Sequence, residues 1–282
     1  MPGRIGIVAR TDRDEALELA VRIAVYLESK GLEVLLEPTL ASYAGRIDES
    51  TPLEDMESDL IITIGGDGTI LRTCLRIPKP EPPILAVDMG VRGFLTEVQP
   101  RDAITAIDRY LEGDYKIERC SKLASYVGGK RLPDALNEVF ITSRTLAKLL
   151  HVNIWKDGVF VTGCRSDGVI VASQVGSTGY SLSGGGPILD PDVDAFVLTP
   201  VCPLTVIRPI VFSMDSILTV KLVRPESATV VIDGQHQVNI GRDEPGIVIK
   251  RSEYETSFVR FSENFYHRLK TRLLFYKGEE TA

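Results

Sequence analysis

The chain has 282 residues, 44% of them apolar and 25% charged, with a formal net charge of −7. This is the composition of an ordinary globular protein of one large or two modest domains, able to bury roughly three quarters of its unfolded surface without covalent staples. The acidic balance speaks against a nucleic-acid partner, although it leaves room for a local basic pocket that takes phosphates.

No apolar stretch approaches the ~20 residues of a membrane span, and the N-terminus shows no signal-peptide pattern. Cys74, Cys120, Cys164 and Cys202 form no C-x-x-C pair and no tight cluster. They read as small buried hydrophobes in a reducing cytoplasm, not as a disulfide framework or a zinc site.

The first part of the chain alternates strands and helices. Ile5–Ala9 is an apolar run of the kind found in buried parallel strands. Asp14–Lys30 carries Ala16, Leu17, Ala20, Val21, Ala24 and Leu27 at helical spacing, with Gly31 placed to close the helix. Strands are predicted at Glu33–Leu36, Leu60–Ile64 and Ile84–Asp88, and a helical stretch at Ile70–Leu75. Pro100–Leu111 predicts an amphipathic helix that opens on proline and ends before Gly113. This rhythm predicts an α/β N-terminal domain over residues 1–114, built on a Rossmann-like open parallel sheet.

From about residue 115 the pattern changes to short strand-like runs between turn signals. They include Val152–Trp155, Val159–Thr162, Val169–Ala172, Leu218–Leu222, Thr229–Ile232 and Gly246–Ile249, with Lys156-Asp157-Gly158 as a hairpin signal. Residues 115–258 are therefore predicted to form an all-β, sandwich-like C-terminal domain. Residues 259–282 are expected to be partly helical, over Ser262–Phe275, and to return to the N-terminal domain.

Gly65-Gly66-Asp67-Gly68-Thr69 lies between a predicted strand and a helix. Ligands of open α/β sheets bind beyond the carboxyl ends of the strands, and glycines there let backbone N–H groups approach phosphates. An acid in such a loop repels phosphate unless it takes a proton from an attacking hydroxyl or helps to hold a metal. The plain alternative is a tight turn in which Asp67 caps the helix. The loop is no Walker motif, because no Gly-Lys-Ser/Thr follows. Nor is it a dinucleotide fingerprint, since Leu71 stands at the third glycine's place.

Three further segments carry chemistry-bearing residues. Gly90-Val91-Arg92-Gly93-Phe94-Leu95-Thr96 follows the Ile84–Asp88 strand. Asn137-Glu138 pairs an amide with a carboxylate, a set able to hold the hydroxyls of one ribose. Ser166-Asp167-Gly168-Val169-Ile170-Val171-Ala172 leads into Gly176-Ser177-Thr178-Gly179-Tyr180-Ser181-Leu182-Ser183-Gly184-Gly185-Gly186-Pro187, a loop of hydroxyls and glycines suited to sugar and phosphate. His151, His236 and His267 show no metal spacing and read as structural or surface residues.

Taken together and in this order, these segments resemble the NAD kinase family, from about residue 60 to 240. The resemblance implies transfer of the terminal phosphate of ATP, or of polyphosphate, to the 2′-hydroxyl of the adenosine ribose of NAD, with a divalent metal, Mg²⁺, on the donor. It implies Asp67 as the proton acceptor, with Gly66 and Gly68 in the nucleotide loop. Phe94 would line the adenine, Asn137 and Glu138 would hold ribose hydroxyls, and Asp167 would meet the nicotinamide end. Thr178, Gly179, Tyr180, Ser181, Leu182 and Ser183 would line the NAD site, with Arg72, Lys148, Arg165 and Gln235 as further ligand contacts. A cytoplasmic homodimer or homotetramer with no nucleic-acid or membrane partner is implied as well.

Departures from the family pattern are Gly179 and Gly184 where alanine is frequent, Gln174-Val175 where Thr-Pro-Thr is frequent, and Lys148 where arginine is frequent. GGDGT alone leaves open a diacylglycerol-type or sphingosine-type lipid kinase, and the pocket alone leaves open a non-catalytic NAD(P) sensor.

Overall fold

The computed structural model describes residues 3–90, 93–145, 148–204, 206–262 and 265–270. The chain divides into two compact units, Met1–Arg119 with Thr256–Ala282, and Cys120–Glu255.

The first unit opens with β1 (Arg4–Ala9), α1 (Asp14–Ser29), β2 (Glu33–Leu36), α2 (Pro38–Tyr43), β3 (Leu60–Gly65), α3 (Asp67–Arg76), β4 (Ile84–Asp88) and α4 (Ala103–Glu112). Its strands run parallel in the order β2-β1-β3-β4, with Ile5 opposite Leu60 and Ile61 opposite Ile84. Continuous apolar runs form these strands because both faces are covered. Ile5, Ile7, Ile62 and Ile64 pack with Leu17, Ile23 and Leu27 of α1 and Ile107 of α4. The alternate residues Val8 and Ile61 pack with Leu53, Met56 and Ile77.

Helix ends follow local chemistry. Gly113 takes a left-handed φ of 81° at the end of α4, and the Asp114 N–H returns to the Arg109 carbonyl at 2.9 Å. The predicted Pro100–Leu111 helix is split, since Pro100–Asp102 forms a single 3₁₀ turn before α4.

The second unit contains β6 (Lys130–Arg131), β7 (Glu138–Ser143), β8 (Leu150–Lys156), β9 (Val159–Ser166) and β10 (Gly168–Ala172). They are followed by α5 (Tyr180–Ser183), β11 (Ala195–Val201), β12 (Ile210–Ser213), β13 (Leu218–Arg224), β14 (Ser227–Ile232) and β15 (His236–Gly241). β5 (Lys116–Val127) leads into this unit and β16 (Ile247–Arg260) leaves it. One antiparallel sheet has the order β12-β11-β10-β7-β14-β15, and β16, β13, β8 and β9 are successive antiparallel neighbours. The β8–β9 hairpin turns where the sequence signals it, with Asp157 at φ 50° and Gly158 at φ 80°. A 3₁₀ turn at Val175–Thr178 and the single turn of α5 interrupt the β pattern.

The strands at Lys116–Val127, Ala195–Val201, Ile210–Ser213 and His236–Gly241 are additional to those expected from the sequence, although the Asp233-Gly234 turn pair precedes the last of them. Near the C-terminus, Phe258 pairs in parallel with Ile84 and Val259 joins the core of the first unit. Of the predicted helix over Ser262–Phe275, residues 265–270 are helical, as α6 (Phe265–Arg268) followed by a π-helical turn at 269–270, and residues 263, 264 and 271–275 lie outside the described residues. Ser262 binds the Glu97 carboxylate, at 3.1 Å from both its N–H and its hydroxyl. Cys74, Cys120 and Cys164 are buried as expected, whereas Cys202 is exposed, because it sits in a turn at φ 47° and not within a strand. No helix among the described residues is long and apolar enough to cross a membrane.

Gly168 shows how tightly β10 packs on β7: a Cβ there would lie 2.3 Å from the Phe140 ring and 2.9 Å from the Ile141 carbonyl oxygen. Gly168→Ala is expected to cost about 1–3 kcal/mol through overpacking, read as a lowered thermal unfolding midpoint.

Candidate active site

In the first unit, the buried strand β3 ends at Gly65 and α3 begins two residues later at Asp67. The turn requires its first glycine, since a Cβ on Gly65 would lie 2.2 Å from the Thr69 hydroxyl oxygen. Gly66 and Gly68 differ: a Cβ on either would meet nothing within 4 Å, so their backbone faces open space. Open glycine backbone at a helix N-terminus is suited to an anion.

Asp67 does not cap α3, which has no side-chain cap. Its carboxylate instead accepts the N–H groups of Phe94 at 2.8 Å and Leu95 at 3.0 Å. Gly93 makes this approach possible: a Cβ there would stand 2.5 Å from the Thr96 hydroxyl, 3.1 Å from Asp67 and 3.4 Å from Asp88. The same loop is held from behind, because the buried Arg260 guanidinium donates to the Leu95 carbonyl at 2.8 Å and pairs with Glu118 and Glu97. GGDGT and the segment around Phe94 thus form one constellation, with Asp88 as a second acid beside Asp67. Val91 and Arg92 lie outside the described residues.

Two other expected contacts of this unit have protein partners. Arg72 forks onto the buried Glu37 at 2.9 and 3.1 Å and donates to the Ala9 carbonyl at 3.0 Å, fixing the end of β1. The Phe94 ring is buried, with Phe265 edge-on at 5.4 Å and the Arg268 guanidinium 5.6 Å from its centre.

In the second unit, Asn137 and Glu138 stand at the start of β7 on a backbone clamped by Asp233. The Asp233 carboxylate accepts the N–H groups of Leu136 at 2.8 Å, Asn137 at 2.8 Å and Glu138 at 2.9 Å, and the Asp233 N–H returns to the Glu138 carbonyl at 3.0 Å. Asp233 reaches this position from a tight turn, with its own φ at 48° and Gly234 at 66°. Gly176 packs on the same backbone so closely that a Cβ would fall 2.0 Å from the Asn137 carbonyl oxygen.

The clamp leaves two buried acceptors without a hydrogen-bond partner, Asn137 Oδ1 and Glu138 Oε2. Burial, together with the Asp233 charge, pushes the Glu138 carboxyl up to about 8. Asp233 itself is raised to about 6 by burial, against the pull of its three N–H donors and the Lys122 charge. Buried polar atoms are normally satisfied, so an unpartnered amide oxygen beside an unpartnered carboxyl oxygen marks a place for a donor ligand.

The hydroxyl-rich loop beside this pair works mainly as its own scaffold. Ser173 donates to the Leu136 carbonyl, Ser177 to Gln174, Thr178 to Val175 at 2.9 Å, and Ser181 bonds Thr199 at 2.8 Å. Leu182 is half-buried, and Ser183 and Tyr180 are exposed, with the Tyr180 ring edge-on to Phe140. A Cβ on Gly179 would stand 3.4 Å from the Asn137 amide nitrogen and 3.5 Å from Glu138 Oε2, so the loop borders the unpartnered pair directly.

Not all expected contacts of the second unit gather there. Gln235 follows Asp233 in the turn and is exposed. Arg165, Asp167 and Lys148 are exposed at the other end of the sheet, where Gly168 faces Thr142, while Ala172 faces Glu138. Four residues of strand separate the two ends by ~14 Å. Asp233 was absent from the residues singled out by sequence. A signal existed in Asp233-Gly234, a turn pair after an apolar strand, but the turn does not say what its carboxylate would clamp. Among the described residues no group of three or more His, Cys, Asp or Glu side chains is arranged to hold a metal.

Residues 5–115 match the family model of the ATP-NAD kinase N-terminal domain, and residues 136–261 that of the ATP-NAD kinase C-terminal domain. The chain is 42% identical over 274 residues to an NAD kinase of Methanothermobacter thermautotrophicus, covering 96% of each chain. Its fold is similar to the crystal structure of an NAD kinase from Archaeoglobus fulgidus in complex with ATP, with 31% identity, a TM-score of 0.77 and coverage of 95% of this chain and 99% of that one. It is also similar in fold to yeast NADH kinase complexed with NADH, at 24% identity and a TM-score of 0.89, over 100% of this chain and 91% of that one.

The raised Glu138 carboxyl fixes a sign for pH dependence. The folded chain keeps this proton up to about pH 8, whereas the unfolded chain releases it near its ordinary value of 4.5. Stability contributed by the bound proton is therefore lost as pH rises from about 4.5 through 8. Glu138→Gln should remove this loss and gain on the order of 3–5 kcal/mol over the native chain at pH 9, with little difference at pH 4. Denaturant unfolding of both proteins across this range measures it.

Proposed function

Because this chain belongs to the NAD kinase family, and is a phosphotransferase that converts NAD to NADP, we propose that Asp67 is its general base and that Asn137 and Glu138 hold the ribose whose 2′-hydroxyl is phosphorylated. The supporting observation is the pair of buried acceptors, Asn137 Oδ1 and Glu138 Oε2, left open on a backbone that Asp233 immobilises. A ribose presents adjacent hydroxyls, groups of the kind that this pair of acceptors lacks. A lipid substrate would not, and both family domains match, so the lipid-kinase reading is set aside.

ATP is the proposed donor, its phosphates lying against the open backbone of Gly66 and Gly68. Asp67, oriented by the Phe94 and Leu95 N–H groups, takes the proton of the 2′-hydroxyl as that oxygen attacks the terminal phosphorus. Positioning and charge stabilisation supply most of the rate in such transfers. The residues present fit Mg²⁺: two acids, Asp67 and Asp88, converge on Gly93, and Mg²⁺ is commonly held by one or two carboxylates together with phosphate oxygens and water. When bound, the metal neutralises donor phosphate charge. Asp88, together with phosphate oxygens and water, would hold it, Asp67 keeps the role of base, and the Gly66 and Gly68 backbone positions the phosphates.

Arg165 and Asp167 lie at the far end of the sheet from Glu138. Contact of both ends with one NAD is supplied most simply by a homodimer or homotetramer, in which one copy presents its Arg165–Asp167 end to the Asn137–Glu138 end of another. A reducing, cytoplasmic setting is part of the same reading, since Cys202 is an exposed free thiol.

Asp67→Asn should retain the fold and NAD affinity while kcat falls by about 10²–10⁴, the usual contribution of a general base. Steady-state formation of NADP, read with an NADP-specific dehydrogenase, together with calorimetric NAD binding, checks both halves. Near-native turnover would remove Asp67 from the role. Glu138→Ala should weaken NAD binding by about 1–3 kcal/mol with a smaller effect on saturated turnover.

A further inference from the structure

Among the described residues many arginines face carboxylates, such as Arg10 with Asp12, Arg46 with Glu28 and Glu49, Arg109 with Asp114, and Arg131 with Asp134. Others do not, and two of these, Arg224 and Arg242, share one pocket. Among the described residues neither has an acid within ion-pair reach, and both are exposed. They line one open pocket of about 700 Å³ in the second unit, with Lys148 and the hydroxyl-bearing Thr145 and Ser227. A single acid, Glu226, stands at the same wall.

The positive charge continues beyond the pocket. In the strand register Arg224 of β13 stands opposite His151 of β8, which stands opposite Arg165 of β9. Arg224 and Arg165 thus flank His151 on the two neighbouring strands. Burial and the charges of Arg165 and Arg224 hold the His151 imidazole below its ordinary value. A chain of net charge −7 thus places several cations near the Ser143 end of β7, ~17 Å along the strand from Glu138. Such a concentration is relieved by an anion, and guanidinium forks with hydroxyls beside them match phosphate oxygens.

We propose that the pocket lined by Arg224, Arg242, Lys148, Thr145 and Ser227 binds a phosphate-bearing polyanion at a site separate from the ribose grip of Asn137 and Glu138. Its size exceeds that of a single phosphate, so a chain of phosphates or the phosphate groups of a nucleotide fit better than inorganic phosphate.

Hydrogen exchange of the full chain tests this with inorganic phosphate, tripolyphosphate and NADP⁺ as parallel probes. Tripolyphosphate, NADP⁺ or both should protect the amides of residues 226–228 and 241–243, and the probe that does so identifies the source of the phosphates. R224Q/R242Q should weaken that binding by about tenfold or more, as loss of two charge-assisted contacts requires. It should leave NADP formation at saturating substrate and protection around Gly66 and Gly68 unchanged. R224K/R242K, which keeps the charge, should restore part of the binding and serves as the folded control. No protection at 226–228 with any probe would overturn the proposal. So would protection that persists unchanged in R224Q/R242Q, or protection confined to Gly66 and Gly68.

Discussion

Three backbone N–H groups on one buried carboxylate hold the substrate-facing part of the second unit together. Asp233 enters from the turn between two strands and fixes Leu136, Asn137 and Glu138 in one conformation. The lone pairs of Asp233 are then occupied, while those of Asn137 Oδ1 and Glu138 Oε2 are left open. A buried anion with three donors is satisfied, and a buried carboxyl with none is not. The difference between these neighbouring acids separates the one that fixes the backbone from the one proposed to meet the ribose.

The first unit solves a similar problem by another route. Asp67 is held by two N–H groups from a loop some 27 residues downstream, and that loop is anchored in turn through its Leu95 carbonyl by Arg260. In the proposed role of base, a carboxylate oriented in this way needs little reorganisation during proton transfer. Gly65 and Gly93 matter here for the space they leave, since side chains at either position would collide with Thr69 or Thr96. Gly66 and Gly68 matter for the backbone they expose.

The unpartnered Glu138 carries a cost in stability that the pH behaviour makes visible. A carboxyl pushed up to about 8 by burial and by Asp233 opposes folding once it ionises, and hydrogen-bond donors from the proposed ribose would offset that cost. Arg165 and Arg224 flank His151 across neighbouring strands, and the proposed polyanion would neutralise their charge.

The sequence by itself determined the strands whose apolar runs are short and sharply bounded: Glu33–Leu36 and Ile84–Asp88 fall where the pattern puts them. It also determined the family, through motifs whose order along the chain is more specific than any one of them, and it singled out Asp67, Asn137 and Glu138. Hydrophobic period, turn residues and motif spacing are local properties and survive without a fold. Tertiary structure alone decided that Asp67 bonds to Phe94 and Leu95, that Asp233 clamps Asn137 and Glu138, and that Arg165 and Asp167 lie at the far end of the sheet. Each depends on strand register or on backbone contacts between residues 27 to about 100 positions apart, and one residue's shift of register would send the side chains to the opposite face.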